Sequence, residues 1–182
     1  MSLTEAFPGI CLRPAVPSDA ENVAKWMNDP ETTKYLGYGF LKPRRIEDVR
    51  EELRMQYEGE LTGCSFAIVN GEKTEYFGQA GLILPDERAK TAEITLVLTP
   101  EARGKGIGKR ALKLLLRFGF CECGYQKLCA RCLSVNAKAL KLFESEGFTR
   151  EGVLRRHMRT AEGLTDVVLY GMLREEYEKQ FG

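Results

Sequence analysis

Residues 92–121 read AEITLVLTPEARGKGIGKRALKLLLRFGFC, and this stretch decides the fold. Residues 92–98 alternate apolar side chains with other side chains, which is the period of a half-buried strand. From residue 106 to about residue 121 the apolar side chains recur at helical spacing, with basic residues on the opposite face. The stretch therefore predicts a strand, a glycine-rich turn and a helix that packs in the centre of the core.

The turn between the predicted strand and helix has the composition of a phosphate site. Glycines let the backbone approach an anion closely, and the N–H groups at a helix start attract negative charge. A Walker A loop would need Gly at Arg103, and a dinucleotide fingerprint would need Gly at Lys109. We therefore expect a phosphate site of another kind, formed by Arg103, Gly104, Lys105, Gly106, Ile107, Gly108 and Lys109.

The rest of the chain predicts strands and helices in mixed order. Strands are expected at 10–13, 65–69, 76–84, 127–135, 153–159 and 166–173, and helices at 19–28, 46–58 and 137–146. Asn70 and Gly71 predict a hairpin turn that leads into the returning strand at residue 76. Because no repeat, linker or low-complexity tract interrupts the sequence, residues 1–182 are expected to form a single domain.

The composition excludes several classes of protein. Among 182 residues, 27 are Lys or Arg and 26 are Asp or Glu, so the net charge is +1. This balance argues against partners that need a basic surface, namely nucleic acid and membranes. The first residues lack the charged and apolar regions of a signal peptide, so we expect a cytoplasmic protein whose six cysteines are free thiols.

Four of the cysteines have nearly the spacing of zinc ligands. They are Cys121, Cys123, Cys129 and Cys132. The first two would lie about 200° apart around a helix end, and the last two would point to opposite faces of a strand. Because four thiolates could not converge from these positions, we expect no metal site.

Two segments of the sequence resemble those of a known superfamily. Arg103-x-x-Gly106-x-Gly108 is similar to the acyl-CoA signature R/Q-x-x-G-x-G/A of the GNAT N-acetyltransferases. Asn136-x-x-Ala139-x-x-x-Phe143, followed by Gly147-Phe148, is similar to the superfamily's second cofactor segment. Trp26-x-Asn28-Asp29 and Asp166-Val-Val-Leu-Tyr170 resemble its RimJ/RimL-like branch, and the order of elements fits over about residues 10–177.

The resemblance implies a fold and a donor. The fold would be the GNAT acyl-CoA N-acyltransferase fold, an α/β (α+β) protein with a mixed, mostly antiparallel sheet of about seven strands and flanking helices. Acetyl-CoA would lie between strands 92–98 and 127–135, with its pyrophosphate on the glycine-rich turn. The backbone of Leu96, Val97 and Leu98 would pair with pantetheine, and Asn136 and Phe143 would contact the cofactor. Asn136 alone is equally a good helix N-cap.

The resemblance also implies direct acetyl transfer, for which Glu93 is the candidate base. Many superfamily members carry Tyr at the position of Phe143, and RimL-like ones often carry Ser at that of Ala139. Neither residue of this chain can donate a proton. Tyr170 or water would have to replace them as the acid, or the thiolate would leave unprotonated, and the sequence leaves these alternatives open.

The acceptor would be an amine, either a protein N-terminus or a small molecule. Deprotonation at pH 7 costs about 1.4 kcal/mol for an α-amine of pKa ~8, against about 4.6 kcal/mol for a lysine-like amine of pKa near 10.4. An enzyme with weak acid and base groups is therefore expected to use an amine of low pKa. Its pocket is expected to include Trp26, Tyr35, Tyr38 and Phe40. The alternative to an enzyme is a non-catalytic acyl-CoA-binding or regulatory module. The sequence does not decide the oligomeric state, and a homodimer is one of the alternatives.

Overall fold

The computed structural model describes residues 9–36 and 42–182, and a seven-stranded sheet runs through its centre. The strands are β1 (Ile10–Pro14), β2 (Cys64–Asn70), β3 (Tyr76–Asp86), β4 (Thr91–Leu98), β5 (Lys127–Leu133), β6 (Thr149–Thr160) and β7 (Gly163–Leu173). They lie side by side in the order β1-β2-β3-β4-β5-β7-β6. Among these neighbours only β4 and β5 run parallel. The predicted mixed, mostly antiparallel sheet is confirmed.

Helices cover both faces of this sheet. Those of the described residues are α1 (Ala20–Met27), α2 (Pro30–Thr33), α3 (Ile46–Tyr57), α4 (Ile107–Arg117), α5 (Ala137–Ser145) and α6 (Arg174–Phe181). Short 3-10 turns at Pro17–Asp19 and Pro100–Ala102 lead into α1 and toward α4. Within the described part of the chain, no helix has the length and apolar character that crossing a membrane requires.

Helix α4 packs at the centre of one face of the sheet, which we call the α4 face. Its side chains Leu112, Leu114 and Leu115 are fully buried and belong to one apolar cluster with Leu82 and Leu128 of the sheet. Full burial of each such side chain contributes about 1.5–3 kcal/mol. The central position that the sequence predicts for this helix is confirmed.

Helices α1 and α3 cover the opposite face, which we call the α1 face. Trp26 and Leu53 belong to a second buried cluster, and Val97 of β4 packs against it. Because side chains alternate along a strand, Leu96 packs instead into the cluster of the α4 face. Strand β4 therefore presents one row of side chains to each helix layer.

Several boundaries differ from the prediction. The helix expected to continue to residue 121 leaves the α conformation after Arg117 and makes a wider π turn over Phe118–Glu122, closed by Cys123 N–H donating to Phe118 O at 2.9 Å. The hairpin predicted at Asn70 is confirmed, because β2 and β3 are antiparallel neighbours. A five-residue turn joins β2 to β3, and the Asn70 Oδ1 accepts hydrogen bonds from the N–H groups of Thr74 and Glu75.

Candidate active site

Strands β4 and β5 pair over only three residues before they separate. Residues 91–93 of β4 lie opposite residues 127–129 of β5. Beyond this point β4 stays paired with β3 as far as Leu98, and β5 stays paired with β7 as far as Leu133. Residues 94–98 therefore have no partner in β5, and the two strands open a wedge-shaped gap in the sheet.

A cavity of about 480 Å³ occupies this gap, and we call it the central cavity. Its wall on the α4 face includes Leu96, Cys132, Asn136, Ala139, Leu142 and Phe143. On the α1 face the wall includes Trp26, Tyr35, Gln79, Glu93, Thr95 and Arg131. The other two aromatic residues predicted for an acceptor pocket, Tyr38 and Phe40, lie outside the described residues. The cavity thus connects the two faces of the sheet at the point where β4 and β5 part.

The glycine-rich turn lies between the end of β4 and the start of α4. Gly104 and Gly106 have left-handed φ angles of 75° and 74°, and Gly106 is the N-cap of α4. Hydrogen bonding within the helix begins with Arg110 N–H donating to Gly106 O at 3.2 Å, so the preceding N–H groups are those that a helix start leaves unpaired. A Cβ atom at Gly104 or Gly106 would meet nothing within 4 Å. The turn presents backbone donors to open space, as an anion site requires.

Gly108, unlike the other two glycines, lies against neighbouring side chains. A Cβ atom at this position would lie 3.3 Å from Leu98 Cδ1 and 3.9 Å from Leu96 Cδ2 and from Leu142 Cδ2. The first turn of α4 therefore packs closely against the end of β4 and against α5. This contact fixes the glycine-rich turn beside the central cavity.

Two of the three basic side chains that the sequence assigns to phosphate have protein partners. Arg103 donates from Nη2 and Nε to Leu98 O, at 3.1 and 3.3 Å, and from Nη2 to the Thr32 hydroxyl. Lys109 Nζ lies 2.6 Å from a carboxylate oxygen of the buried Glu146. Lys105 is exposed in the turn itself. The donors that the turn offers are thus backbone groups, and the phosphate roles of Arg103, Lys105 and Lys109 stay predictions.

Glu93 lies at the last paired position of β4, where the gap begins. Its Oε2 forms an ion pair with Arg131, whose Nε lies 2.8 Å away, and the side chains of Glu93 and Arg131 are 18% and 44% exposed, respectively. Arg131 follows the partner of Glu93, Cys129, by two residues along β5, so both charged side chains project to the α1 face. Sequence reasoning missed Arg131, because its approach to Glu93 depends on the register of the parallel pair.

Asn136 and Phe143 come from helix α5 and reach the central cavity. Asn136 is the N-cap, and its Oδ1 accepts from Ala139 N–H at 3.2 Å. The side-chain amide has no recorded acceptor among the described residues, so both its donors are available to a ligand. Phe143 is packed edge-on against Phe148 and parallel to Tyr170. Both predicted cofactor residues therefore line the cavity.

Tyr170 does not line the central cavity. It is 1% exposed, and its hydroxyl donates to Glu144 Oε1 at 2.7 Å. Burial, with a smaller contribution from this hydrogen bond, raises the pKa of Tyr170 to about 12. A phenol with this pKa keeps its proton at neutral pH, and its hydroxyl faces α5 rather than the gap between the strands.

All six cysteines are free thiols, as expected. Cys132 lines the central cavity, and burial, with a smaller contribution from the Glu93 charge, raises the pKa of its thiol to about 12. A thiol with this pKa is protonated at neutral pH and is a poor nucleophile. Among residues 9–36 and 42–182, no three His, Cys, Asp or Glu side chains are grouped as metal ligands would be.

Comparison with known proteins shows the family. A model of the acetyltransferase (GNAT) domain matches residues 10–149, which is most of the chain. The chain therefore belongs to the GNAT acetyltransferase family, and its enzyme class is N-acetyltransferase.

Relatives agree with this assignment. The chain is 29% identical over 171 residues to the uncharacterized N-acetyltransferase p20 of Bacillus licheniformis, covering 92% of this chain and 94% of the relative. It is 31% identical over 140 residues to the SPbeta prophage-derived uncharacterized N-acetyltransferase YokL of Bacillus subtilis strain 168, covering 77% of each. The crystal structure of spermidine N-acetyltransferase from Vibrio cholerae in complex with CoA and spermine superimposes with a TM-score of 0.84 at 24% identity, over 93% of this chain and 98% of that one. This likeness shows the GNAT fold.

Proposed function

We propose that this protein binds acetyl-CoA in the gap between β4 and β5 and transfers the acetyl group directly to a primary amine. The observation that carries the proposal is the early separation of the two strands beside the glycine-rich turn. The free edge of residues 94–98, which includes Leu96, Val97 and Leu98, offers N–H and C=O groups that pantetheine amides can pair with. The family uses acetyl-CoA, and the Vibrio cholerae neighbour is a complex with CoA.

In this proposal the pyrophosphate lies on the backbone of the turn from Gly104 to Lys109. The pyrophosphate would accept hydrogen bonds from the unpaired N–H groups at the start of α4, and the positive end of the helix dipole adds to the attraction. The exposed Lys105 adds a cation. The side-chain amide of Asn136 then donates to the pantetheine arm while its oxygen continues to cap α5.

The acetyl group passes in one step, without an acetyl-enzyme. The neutral amine nitrogen attacks the thioester carbonyl carbon, a C–N bond forms and the C–S bond breaks. Glu93, directly or through one water, takes the proton that the amine gives up. CoA leaves as its thiolate and is protonated by water, because the Tyr170 hydroxyl is directed at Glu144. Cys132 does not act as a nucleophile, because its thiol stays protonated.

The amine enters from the α1 face, past Trp26 and Tyr35. These residues line the central cavity beside Glu93, on the side away from α5. We place the chain in the RimJ/RimL-like branch on the residues Trp26, Asn28, Asp29 and Tyr170. This branch makes a protein N-terminus the first acceptor to test, and small amines the second.

Transfer is measured by mass spectrometry, because the six thiols of the protein interfere with thiol reagents. The protein is incubated with acetyl-CoA and either a peptide with a free N-terminus, a small amine or a polyamine. We expect a mass increase of one acetyl group on at least one amine and equimolar release of CoA. The alternative is a non-catalytic module, which is consistent with the lack of an acid at Phe143 and Ala139. Such a module would bind CoA in a titration and give no acetylated product.

A further inference from the structure

The charge of the central cavity is confined to one ion pair. Of the described residues that line it, only Glu93 and Arg131 carry a formal charge, and they contact each other at 2.8 Å. Every other lining residue is apolar, aromatic or neutral and polar. The described wall is therefore electrically neutral, although the amine that reacts there is cationic before it loses its proton.

Arg131 is not saturated by Glu93. The ion pair brings its Nε to 2.8 Å from Glu93 Oε2, and among the described residues its terminal nitrogens donate no hydrogen bond. A guanidinium has five N–H donors in a planar fork, and the two terminal nitrogens match the two oxygens of a carboxylate. At 44% exposure the side chain is accessible from the side on which the amine enters. The terminal nitrogens of Arg131 are thus available to a negative group of a ligand.

A polycationic acceptor does not suit this wall. Several ammonium groups in a water-poor cavity need several carboxylates, and burial of an unpaired charge is costly. Glu93 is the one described carboxylate here, and Arg131 already neutralises it. An acceptor that carries its own anion is better matched, because its amine faces Glu93 while its anion faces Arg131.

We propose that the acceptor of this enzyme carries a carboxylate close to its amine, and that Arg131 is the residue that binds this carboxylate. The inference rests on the proposed function, and of the two acceptor classes named there it selects small amines over a protein N-terminus. The amine would lie at Glu93 and the anion at the terminal nitrogens of Arg131, which adjoin the Nε–Oε2 contact. The spacer between amine and carboxylate is therefore short, as in an α- or ω-amino acid.

The test compares acceptors that differ only in charge. Glycine, β-alanine and 4-aminobutyrate are assayed beside their carboxamides, and spermidine serves as the polycation. We expect at least one carboxylate to be acetylated with a kcat/KM at least about tenfold above that of its amide. Arg131→Gln should reduce this ratio to near one and leave the affinity for CoA unchanged, whereas Arg131→Lys should restore part of it.

Arg50→Gln is the matched control, because Arg50 is exposed on α3, outside the central cavity, and the variant loses the same charge. It should keep the parental ratio. An equal kcat/KM for carboxylates and amides, or a ratio that Arg131→Gln leaves intact, would overturn the proposal, as would a preference for spermidine.

A binding measurement separates this proposal from the proposed function. The same probes are titrated by calorimetry into the protein saturated with CoA. If CoA binds and no probe is acetylated, direct transfer fails, but tighter binding of carboxylates that depends on Arg131 would still support the anion site. Equal binding of carboxylate and amide, or no binding of either, would refute it.

Discussion

The two sides of the central cavity differ in the groups that would bind the ligands, which are backbone groups on one side and side chains on the other. On the α4 face, side chains of β5 and α5 line the cavity, but the proposed pantetheine and pyrophosphate contacts are backbone groups of one continuous stretch, which supplies the strand edge, the glycine-rich turn and the helix start. On the α1 face it is a set of side chains from elements far apart in sequence, such as Trp26, Gln79, Glu93 and Arg131. The first kind of site depends on backbone conformation, and the second depends on strand register and helix packing. The two sides should therefore respond differently to substitution.

The largest effect should come from the α1 face, at Glu93. Glu93→Gln keeps the size of the side chain and removes its charge, so kcat/KM at pH 7 should fall by about 100-fold while the affinity for CoA is retained. The loss should be smaller at pH 9, where more of the amine is already neutral. The measurement is the pH profile of kcat/KM for both proteins with one acceptor. Identical profiles would make Glu93 a structural partner of Arg131 only.

The second effect belongs to the α4 face. Gly106→Val places a β-branched residue at a φ of 74°, which costs about 1–2 kcal/mol, and the turn must relax away from the geometry that presents its N–H groups. We expect an affinity for CoA at least about tenfold lower, since 1.4 kcal/mol corresponds to a factor of ten. Calorimetric titration with CoA measures this loss.

Gly124→Val is the matched control for the turn. Gly124 has a φ of 73°, and a Cβ atom there meets nothing within 4 Å, as at Gly106. The control should show a similar loss of unfolding free energy in urea and a parental affinity for CoA. Should both variants weaken CoA binding equally, backbone strain in general, and not the turn itself, would account for the loss.

The sequence predicted the backbone side better than the side-chain side. Periodicity is enough to define β4 and α4, and glycines mark the turn between them, since all three features are local. The contact of Glu93 with Arg131 requires the parallel register of β4 and β5 and the point at which they separate, neither of which periodicity contains. Local signals also fail where the pattern is weak. Helix α2 has four residues, and α6 has no buried residue, so neither shows an apolar stripe.

Arg103 connects the two sides of the cavity, and we expect substitution of its partner Thr32 to have a smaller effect. Its guanidinium links Leu98 O at the end of β4 to the buried hydroxyl of Thr32 in α2, and that hydroxyl also donates to Asp29. Thr32→Val keeps the shape and removes the hydroxyl, leaving Asp29 and Arg103 each without one partner. We expect a loss of about 1–3 kcal/mol in unfolding free energy.

Thr32→Val should change the kinetics of the acceptor and not the binding of CoA. The acceptor KM should rise a few-fold, because α2 follows the wall residue Trp26, while the affinity for CoA stays parental. Arg103→Ala, by contrast, should weaken CoA as well, because the predicted phosphate cation is lost with the link. Steady-state kinetics and titration with CoA are compared for the two variants. Equal losses of CoA affinity would show that Arg103 acts on the cofactor only by way of Thr32.

The smallest effect on the rate should be that of Tyr170→Phe. The hydroxyl is bonded to Glu144 and stays out of the central cavity, so kcat should remain within about twofold of the parent, far from the 100-fold loss expected of a removed acid. A 100-fold loss with intact CoA binding would instead make Tyr170 the acid that protonates the thiolate.

Stability should respond to Tyr170→Phe through two terms. The lost hydrogen bond should cost about 1 kcal/mol of unfolding free energy at pH 7.

The second term depends on pH, because the pKa of Tyr170 is raised to about 12 in the folded protein, whereas an unfolded tyrosine ionises near its ordinary value of 10. The stabilisation from a protonated Tyr170 is therefore fully present below pH 10 and is lost as the pH rises toward 12. A phenylalanine side chain cannot ionise, so the variant should lose less unfolding free energy over that interval than the parent. Urea titrations at pH 7, 9 and 10.5 measure the difference, and parallel pH dependences would show that the environment of α5 leaves the ionisation of Tyr170 unchanged on folding.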